Sequence, residues 1–291
     1  MLVQCSFTLF NELLFIFDCE PFAGVFSTSF AHLFTGRLTT MTPLIPGFDG
    51  PIRALVTGAS SGIGRAVVAE LVANPQCANV VAVSRQISGD AHWAAEPKVQ
   101  AFDVDLSAAD SASGLAARIA DDGPLQLVFN AAGMLHDAGL RPEKSINQLR
   151  LSALQASFAI NAFAPILLAQ ALLPLLRSGP CVFASLSARV GSIGDNQMGG
   201  WYSYRAAKAA QNQLLRTFAI EWRRLNAQGS CVLLHPGTVD TPLAAPFKVG
   251  VAPGKLFDSA RAARQLLELV AAATPERSGK FFAWDGQEIP W

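Results

Sequence analysis

The stretch Ile52-Arg53-Ala54-Leu55-Val56-Thr57-Gly58-Ala59-Ser60-Ser61-Gly62-Ile63-Gly64-Arg65-Ala66 decides the fold. A largely apolar run over 52–57 stops at Gly58, and across 63–73 apolar side chains return at helical spacing as Ile63, Val67 and Leu71. Glycines between a strand and a helix permit a tight turn and let backbone amides approach an anion with no Cβ in the way. The helix behind them adds its unpaired N–H groups and the positive end of its dipole. Gly58, Ser60, Ser61, Gly62, Ile63 and Gly64 are thus a candidate cradle for a pyrophosphate, in the spacing G-x-x-x-G-x-G.

The same alternation continues outward from this loop. Apolar runs recur at 80–83, 99–102, 125–129, 181–184, 231–234 and 280–284, separated by Ala-rich helical stretches at 108–120, 146–176, 203–227 and 259–273. Continuous rather than alternating apolar strands mean burial on both faces, as in a parallel sheet covered by helices. Right-handed crossovers then give an α/β, Rossmann-type doubly wound sheet of about seven strands. With 291 residues, 51% of them hydrophobic and 15% charged, the chain suits one large domain over 51–291 with no linker and no internal repeat.

Residues 1–50 do not match this pattern. They are rich in Phe, hold no persistent period, and lack the positive lead of a secretory signal. Asn11, Glu12, Asp18 and Glu20 interrupt any apolar run long enough to span a membrane. The expectation is an extension outside the core, with residues 1–40 either dispensable or translated from a start upstream of a true one at Met41. No basic patch for nucleic acid accompanies the net charge of zero, and the four histidines show no metal-ligand spacing. The five cysteines are scattered and odd in number, which points to a reducing, cytoplasmic compartment and no membrane.

The end of the second strand is where a dinucleotide's adenosine ribose is read. An acidic side chain there would accept from a 2′-hydroxyl; this chain has Ser84 and Arg85, and a guanidinium can grip a 2′-phosphate. The expected cofactor is therefore NADP(H). Asp103, closing the third strand, either accepts from the adenine amino group or caps the turn before Leu106.

Tyr204 and Lys208 stand four apart at the start of an Ala-rich helix, so they share one face. A carbonyl reduced by hydride needs a proton, an isolated tyrosine is a reluctant donor and acceptor, and a neighbouring ammonium would lower its pKa. A serine after the preceding strand would hold the substrate oxygen. Ser187 is the first choice and Ser185 the second, with Ser192 also in the run. Asn161, the strongly polar residue in an apolar helical stretch, either holds a water that relays protons to Lys208 or is a satisfied core amide.

Together these residues resemble the classical short-chain dehydrogenase/reductase family over essentially 52–291. Two further segments carry the likeness: Asn130-Ala131-Ala132-Gly133 after the fourth strand, and Pro236-Gly237-Thr238-Val239-Asp240-Thr241. The resemblance implies that Asn130 and Ala131 support the sheet and line the cofactor cleft, and that Pro236, Gly237 and Thr241 lie at the nicotinamide end. Ser187-Ala-Arg-Val-Gly-Ser-Ile-Gly-Asp-Asn196, Gly199-Gly-Trp-Tyr-Ser-Tyr-Arg205 and Asp285-Gly-Gln-Glu-Ile-Pro-Trp291 look like the C-factor and sniffer-like carbonyl reductase branch. It implies interconversion of a small apolar carbonyl and alcohol, with a homodimer or homotetramer as the assembly. An NAD(P)-binding signalling protein of the C-factor type is the alternative. Ser187 precedes Tyr204 by seventeen residues, more than is usual in the family, so an insertion around 194–200 is expected beside the site. Apolar residues in 242–258 suit a lid over the substrate.

Overall fold

A computed structural model describes residues 43–137, 139–247 and 254–291. The strands are β1 (Ile52–Thr57), β2 (Cys77–Ser84), β3 (Val99–Asp103), β4 (Leu127–Asn130), β5 (Cys181–Leu186), β6 (Gly229–His235), β7 (Thr238–Val239), β8 (Leu256–Phe257) and β9 (Lys280–Ala283). The helices are α1 (Gly62–Ala73), α2 (Ala91–Ala94), α3 (Ser111–Ile119), α4 (Leu151–Phe158), α5 (Ala164–Leu172), α6 (Tyr202–Leu225) and α7 (Ser259–Ala271). The expected extension at 1–40 and part of the expected lid, including Val249 and Val251, lie outside the described residues.

Seven strands pair in parallel in the order β3-β2-β1-β4-β5-β6-β9. The chain winds from β1 outward to β3, then returns across β1 to begin β4. Beyond the carboxyl ends of β1 and β4 the flanking connections diverge to opposite sides, and a crevice opens there. Every residue of β1, β4 and β5 is buried, which is why these runs are continuous rather than alternating. One face packs Val67, Val68 and Leu71 of α1 with Leu266 and Val270 of α7. The other packs Leu115 and Ile119 of α3, Leu168 and Leu172 of α5, and Leu215 and Trp222 of α6.

Two expectations are corrected. Residues 1–50 do not all fall outside the core, because Leu44 and Ile45 are buried in it. The backbone N–H of Leu44 donates to Gln76 Oε1 (3.0 Å), whose amide nitrogen in turn donates to Phe48 O (2.8 Å). A single apolar pair is too short to show a period, so the sequence concealed it.

The second concerns the 146–176 stretch, which is not one regular helix. Separate 3₁₀ turns begin and end it, and a π-turn at Ala159–Phe163 divides α4 from α5. Pro165 lacks the N–H that a regular helix would send to the carbonyl of Asn161, and local widening accommodates the gap. The span Leu151–Leu176 is long and apolar enough to cross a membrane by composition, but here Ala164, Leu168, Ala169, Leu172 and Leu176 face the sheet.

Candidate active site

The crevice beyond β1 and β4 is a cleft of about 640 Å³. Gly58, Ser60, Ser61, Gly62, Ile63 and Gly64 form one wall. Gly58 has φ +67°, and a Cβ there would stand 2.8 Å from Ala131 O. A Cβ on Gly64 would stand 2.2 Å from Gly58 O, so the first turn of α1 and the loop touch backbone to backbone. Ser61 supplies no side-chain cap to α1 and no acidic residue occupies the first turn. Its leading N–H groups and positive dipole end are thereby left to an anion. We expect Gly64→Ala to abolish dinucleotide binding and lower the melting temperature by several degrees, because two backbone segments would have to part. Thermal denaturation beside a cofactor titration checks both effects; an unchanged melting curve would contradict the packing described.

Further along the cleft, Arg85 extends from the end of β2, and Ser84 Oγ lies 2.8 Å from Ser60 Oγ. Asp103 is a correction: it does not line the cleft and caps nothing ahead of Leu106. Its carboxylate turns back to accept from the backbone N–H groups of Ile87 (2.6 Å) and Ser88 (2.9 Å) and from the Ser88 hydroxyl. The Ser88 hydroxyl is the main reason its pKa lies below the usual carboxylate range. Asp105 and Leu106 line the cleft in its place. The strand end at Asp103 was read correctly; what the sequence does not show is that its carboxylate turns back to the 87–88 backbone.

Asn130 is also displaced from its expected place at the cleft wall. Thr57, Asn130 and Ser185 occupy one register row across β1, β4 and β5. Thr57 Oγ1 donates to Asn130 Oδ1 (2.6 Å), and Asn130 Nδ2 donates to Ser185 Oγ (2.8 Å). That row ties three strands together beneath the cleft, and Ala131, next along, reaches the lining. Pro236 and Thr241 line the cleft, whereas Gly237 does not. A Cβ on Gly237 would meet the Phe257 ring at 2.8 Å.

Ser187, Tyr204 and Lys208 converge on the same cleft. Ser187 follows β5 and donates to Asn212 Oδ1 (2.6 Å), while Ser185 is committed to the row beneath. Burial pushes the Tyr204 hydroxyl up and brings Lys208 down to about 7. The desolvation that raises the phenol also weakens the ammonium beside it. Lys208 Nζ lies 5.8 Å from the Tyr204 ring centre and donates to Leu186 O (2.9 Å) and Gln211 Oε1 (2.8 Å). Asn161 behaves as a satisfied amide: Oδ1 accepts from the Met134 N–H (3.0 Å), and Nδ2 donates to Met134 O (2.7 Å) and Ser157 Oγ (3.2 Å). Through these bonds it fixes the 131–134 segment.

Sequence reasoning missed Glu143. Helix α6 begins at Trp201 in a left-handed conformation (φ 51°) with no side-chain cap of its own. The buried Glu143 carboxylate caps it from another segment, accepting from the Ser203 N–H (3.2 Å) and from its hydroxyl, and Glu143 O accepts from the Trp201 N–H (2.5 Å). An acidic group at a helix N-terminus also complements the dipole. This clamp stands one residue before Tyr204, and nothing local in the sequence marks it. The 192–201 segment leads into α6 and is anchored where the Gly194 N–H donates to Trp291 O (2.9 Å). Trp201 then lies 6.3 Å from Tyr204 and 5.0 Å from Phe247, ring centre to ring centre.

His235 ends β6 and its Nδ1 accepts from the Arg189 N–H (3.3 Å). Burial first, and the Arg189 charge second, lower its pKa to about 4. A base with a depressed folded pKa leaves stability intact above about 6.5 and withdraws it as pH falls from there towards about 4. We expect His235→Asn to flatten the fall in melting temperature across that window; equal slopes for the two chains would contradict it.

Comparison with known proteins agrees with this geometry. Residues 53–250 match the short chain dehydrogenase family. A 1-hydroxy-2-glutathionyl-2-methyl-3-butene dehydrogenase of Rhodococcus sp. (strain AD45) is 33% identical over 81% of this chain and 98% of its own. The C-signal protein of Myxococcus xanthus is 35% identical over 58% of this chain and 94% of its own. Among solved structures, an NADPH-bound carbonyl reductase from chicken fatty liver superposes with a TM-score of 0.74 at 25% identity, covering 83% of this chain and 95% of that one. Carbonyl reductase Sniffer of D. melanogaster gives 0.73 at 25% identity, covering 83% and 100%. The chain belongs to the short chain dehydrogenase family and is an oxidoreductase. Its fold is shared with solved carbonyl reductases, among them the chicken enzyme and Sniffer.

Proposed function

We propose that the chain interconverts a small apolar carbonyl compound and its alcohol with NADP(H). The observation that carries this reading is the convergence of Ser187, Tyr204 and Lys208 on the cleft that also holds the glycine loop. The residues present fit such a cofactor. The uncapped start of α1 suits its pyrophosphate, Arg85 and Ser60 suit a 2′-phosphate, and Pro236 and Thr241 suit the nicotinamide end. The NADPH carried by the chicken carbonyl reductase supports the same choice. When bound, the cofactor supplies the hydride.

In this account the Ser187 hydroxyl orients the carbonyl oxygen and Tyr204 gives it a proton as negative charge develops. Lys208, one turn along α6, offsets the charge left on the phenolate. In the direction of oxidation each transfer reverses. Met134, Leu135, Ile160 and Leu243 add apolar lining suited to a substrate with little charge. The C-signal relative leaves a signalling role in view, but an intact Tyr204 and Lys208 in the cleft favours turnover. Free, buried Cys77, Cys181 and Cys231 favour a reducing compartment such as the cytoplasm. The test is to mix purified chain with NADPH and a panel of apolar aldehydes and ketones. Loss of reduced nicotinamide in step with alcohol formation is expected; no turnover with any member, despite cofactor binding, would favour the signalling role.

A further inference from the structure

Gln211 is wholly buried on α6, one turn beyond Lys208, and each of its polar atoms is used. Oε1 accepts from Lys208 Nζ (2.8 Å), and Nε2 donates to Ser185 Oγ (2.7 Å) and Leu186 O (3.2 Å). Ser185 also accepts from Asn130 Nδ2, Asn130 Oδ1 accepts from Thr57, and Thr57 Oγ1 accepts from the Ala132 N–H (3.1 Å). One buried polar chain therefore runs from Lys208 through three strands to the segment at the cleft wall. The amide cannot swing without leaving several of these groups unpaired.

We propose that Gln211 is a positioning residue for Lys208, holding its ammonium so that the remaining N–H points into the cleft. A charged lysine has three donors. Leu186 O and Gln211 Oε1 take two, and both acceptors are fixed to the scaffold. The lysine stem is clamped as well, since a Cβ on Gly191 would stand 2.8 Å from Lys208 Cβ. Around the head group, β5 presents a carbonyl and the 131–134 segment presents Gly133. Among the described residues the titratable group facing it is Tyr204 on its own helix, and burial is the one cause of its depressed pKa. The Gln211 oxygen is then the side-chain acceptor that favours the charged form. Leucine could fill the space with no polar atom to satisfy, and what it would remove is this acceptor.

The inference rests on the proposed role of Lys208, but its test needs no turnover. The full chain, labelled with [ε-13C]lysine and free of cofactor, is titrated by NMR, with the Lys208 signal identified by its loss in Lys208→Met. We expect one lysine titrating far below the others. Gln211→Glu should raise its midpoint by about one pH unit, since an opposite charge favours the ammonium, and Gln211→Leu should lower it. A midpoint unmoved in Gln211→Glu overturns the proposal, even where Gln211→Leu fails to fold. In the enzyme assay the basic limb of kcat should move in the same directions with the carbonyl KM unchanged. A chain that turns over no carbonyl yet shows the shifted lysine would refute the reductase reading alone.

Discussion

Tyr204→Phe is expected to lower kcat for NADPH-dependent carbonyl reduction by roughly 10³-fold while leaving NADPH affinity within about twofold. The substitution removes one oxygen from a buried ring whose edge contacts with Trp201 remain, so the fold is kept. What is lost is the proton for the developing alkoxide, and the described cleft offers no equal replacement. The Ser187 hydroxyl must turn from Asn212 to orient the oxygen, and Lys208 keeps a single N–H beyond those held by Leu186 and Gln211. Single-turnover absorbance with cofactor in excess separates this loss from weakened binding. A variant within tenfold of the wild type would remove Tyr204 from the chemistry.

Arg85→Ala should weaken NADPH binding by about 10- to 100-fold, the worth of a charge-assisted hydrogen-bond pair, and leave NADH binding nearly unchanged. The side chain is exposed at the cleft edge and bears little packing, so its removal should not disturb β2. Ser60, bonded to Ser84, remains as a weaker partner, which sets the lower end of the range. Calorimetric titration of both cofactors into both chains checks it. Equal losses for the two would mean that Arg85 does not read the 2′ position.

The sheet was legible because a parallel strand buried on both faces must be apolar throughout, and each such run lies between Ala-rich helices. The glycine loop was equally plain, since backbone contact at Gly64 admits no other residue. Less was legible where meaning lies in a contact between distant segments. Glu143 is sixty residues from the serine it caps, and Gln211 meets Ser185 across a helix–strand interface. Asp103 and Asp105 differ only in which side of a strand end they occupy. Asn161 drew notice as a polar residue among apolar ones and Asn130 through the family resemblance, but their partners Met134 and Ser185 could not be read from spacing. For Lys208 and Gln211 an i, i+3 stripe on a buried helix face was the available signal.

Whether the cleft is a dinucleotide site is decided by calorimetric titration of purified wild-type chain with NADPH, beside NADH. One NADPH site per chain is expected, with NADH bound at least tenfold more weakly. No heat and no competition from either nucleotide would contradict NADP(H) binding, because the glycine loop, Arg85 and the paired Tyr204 and Lys208 would then share a cleft for some other purpose.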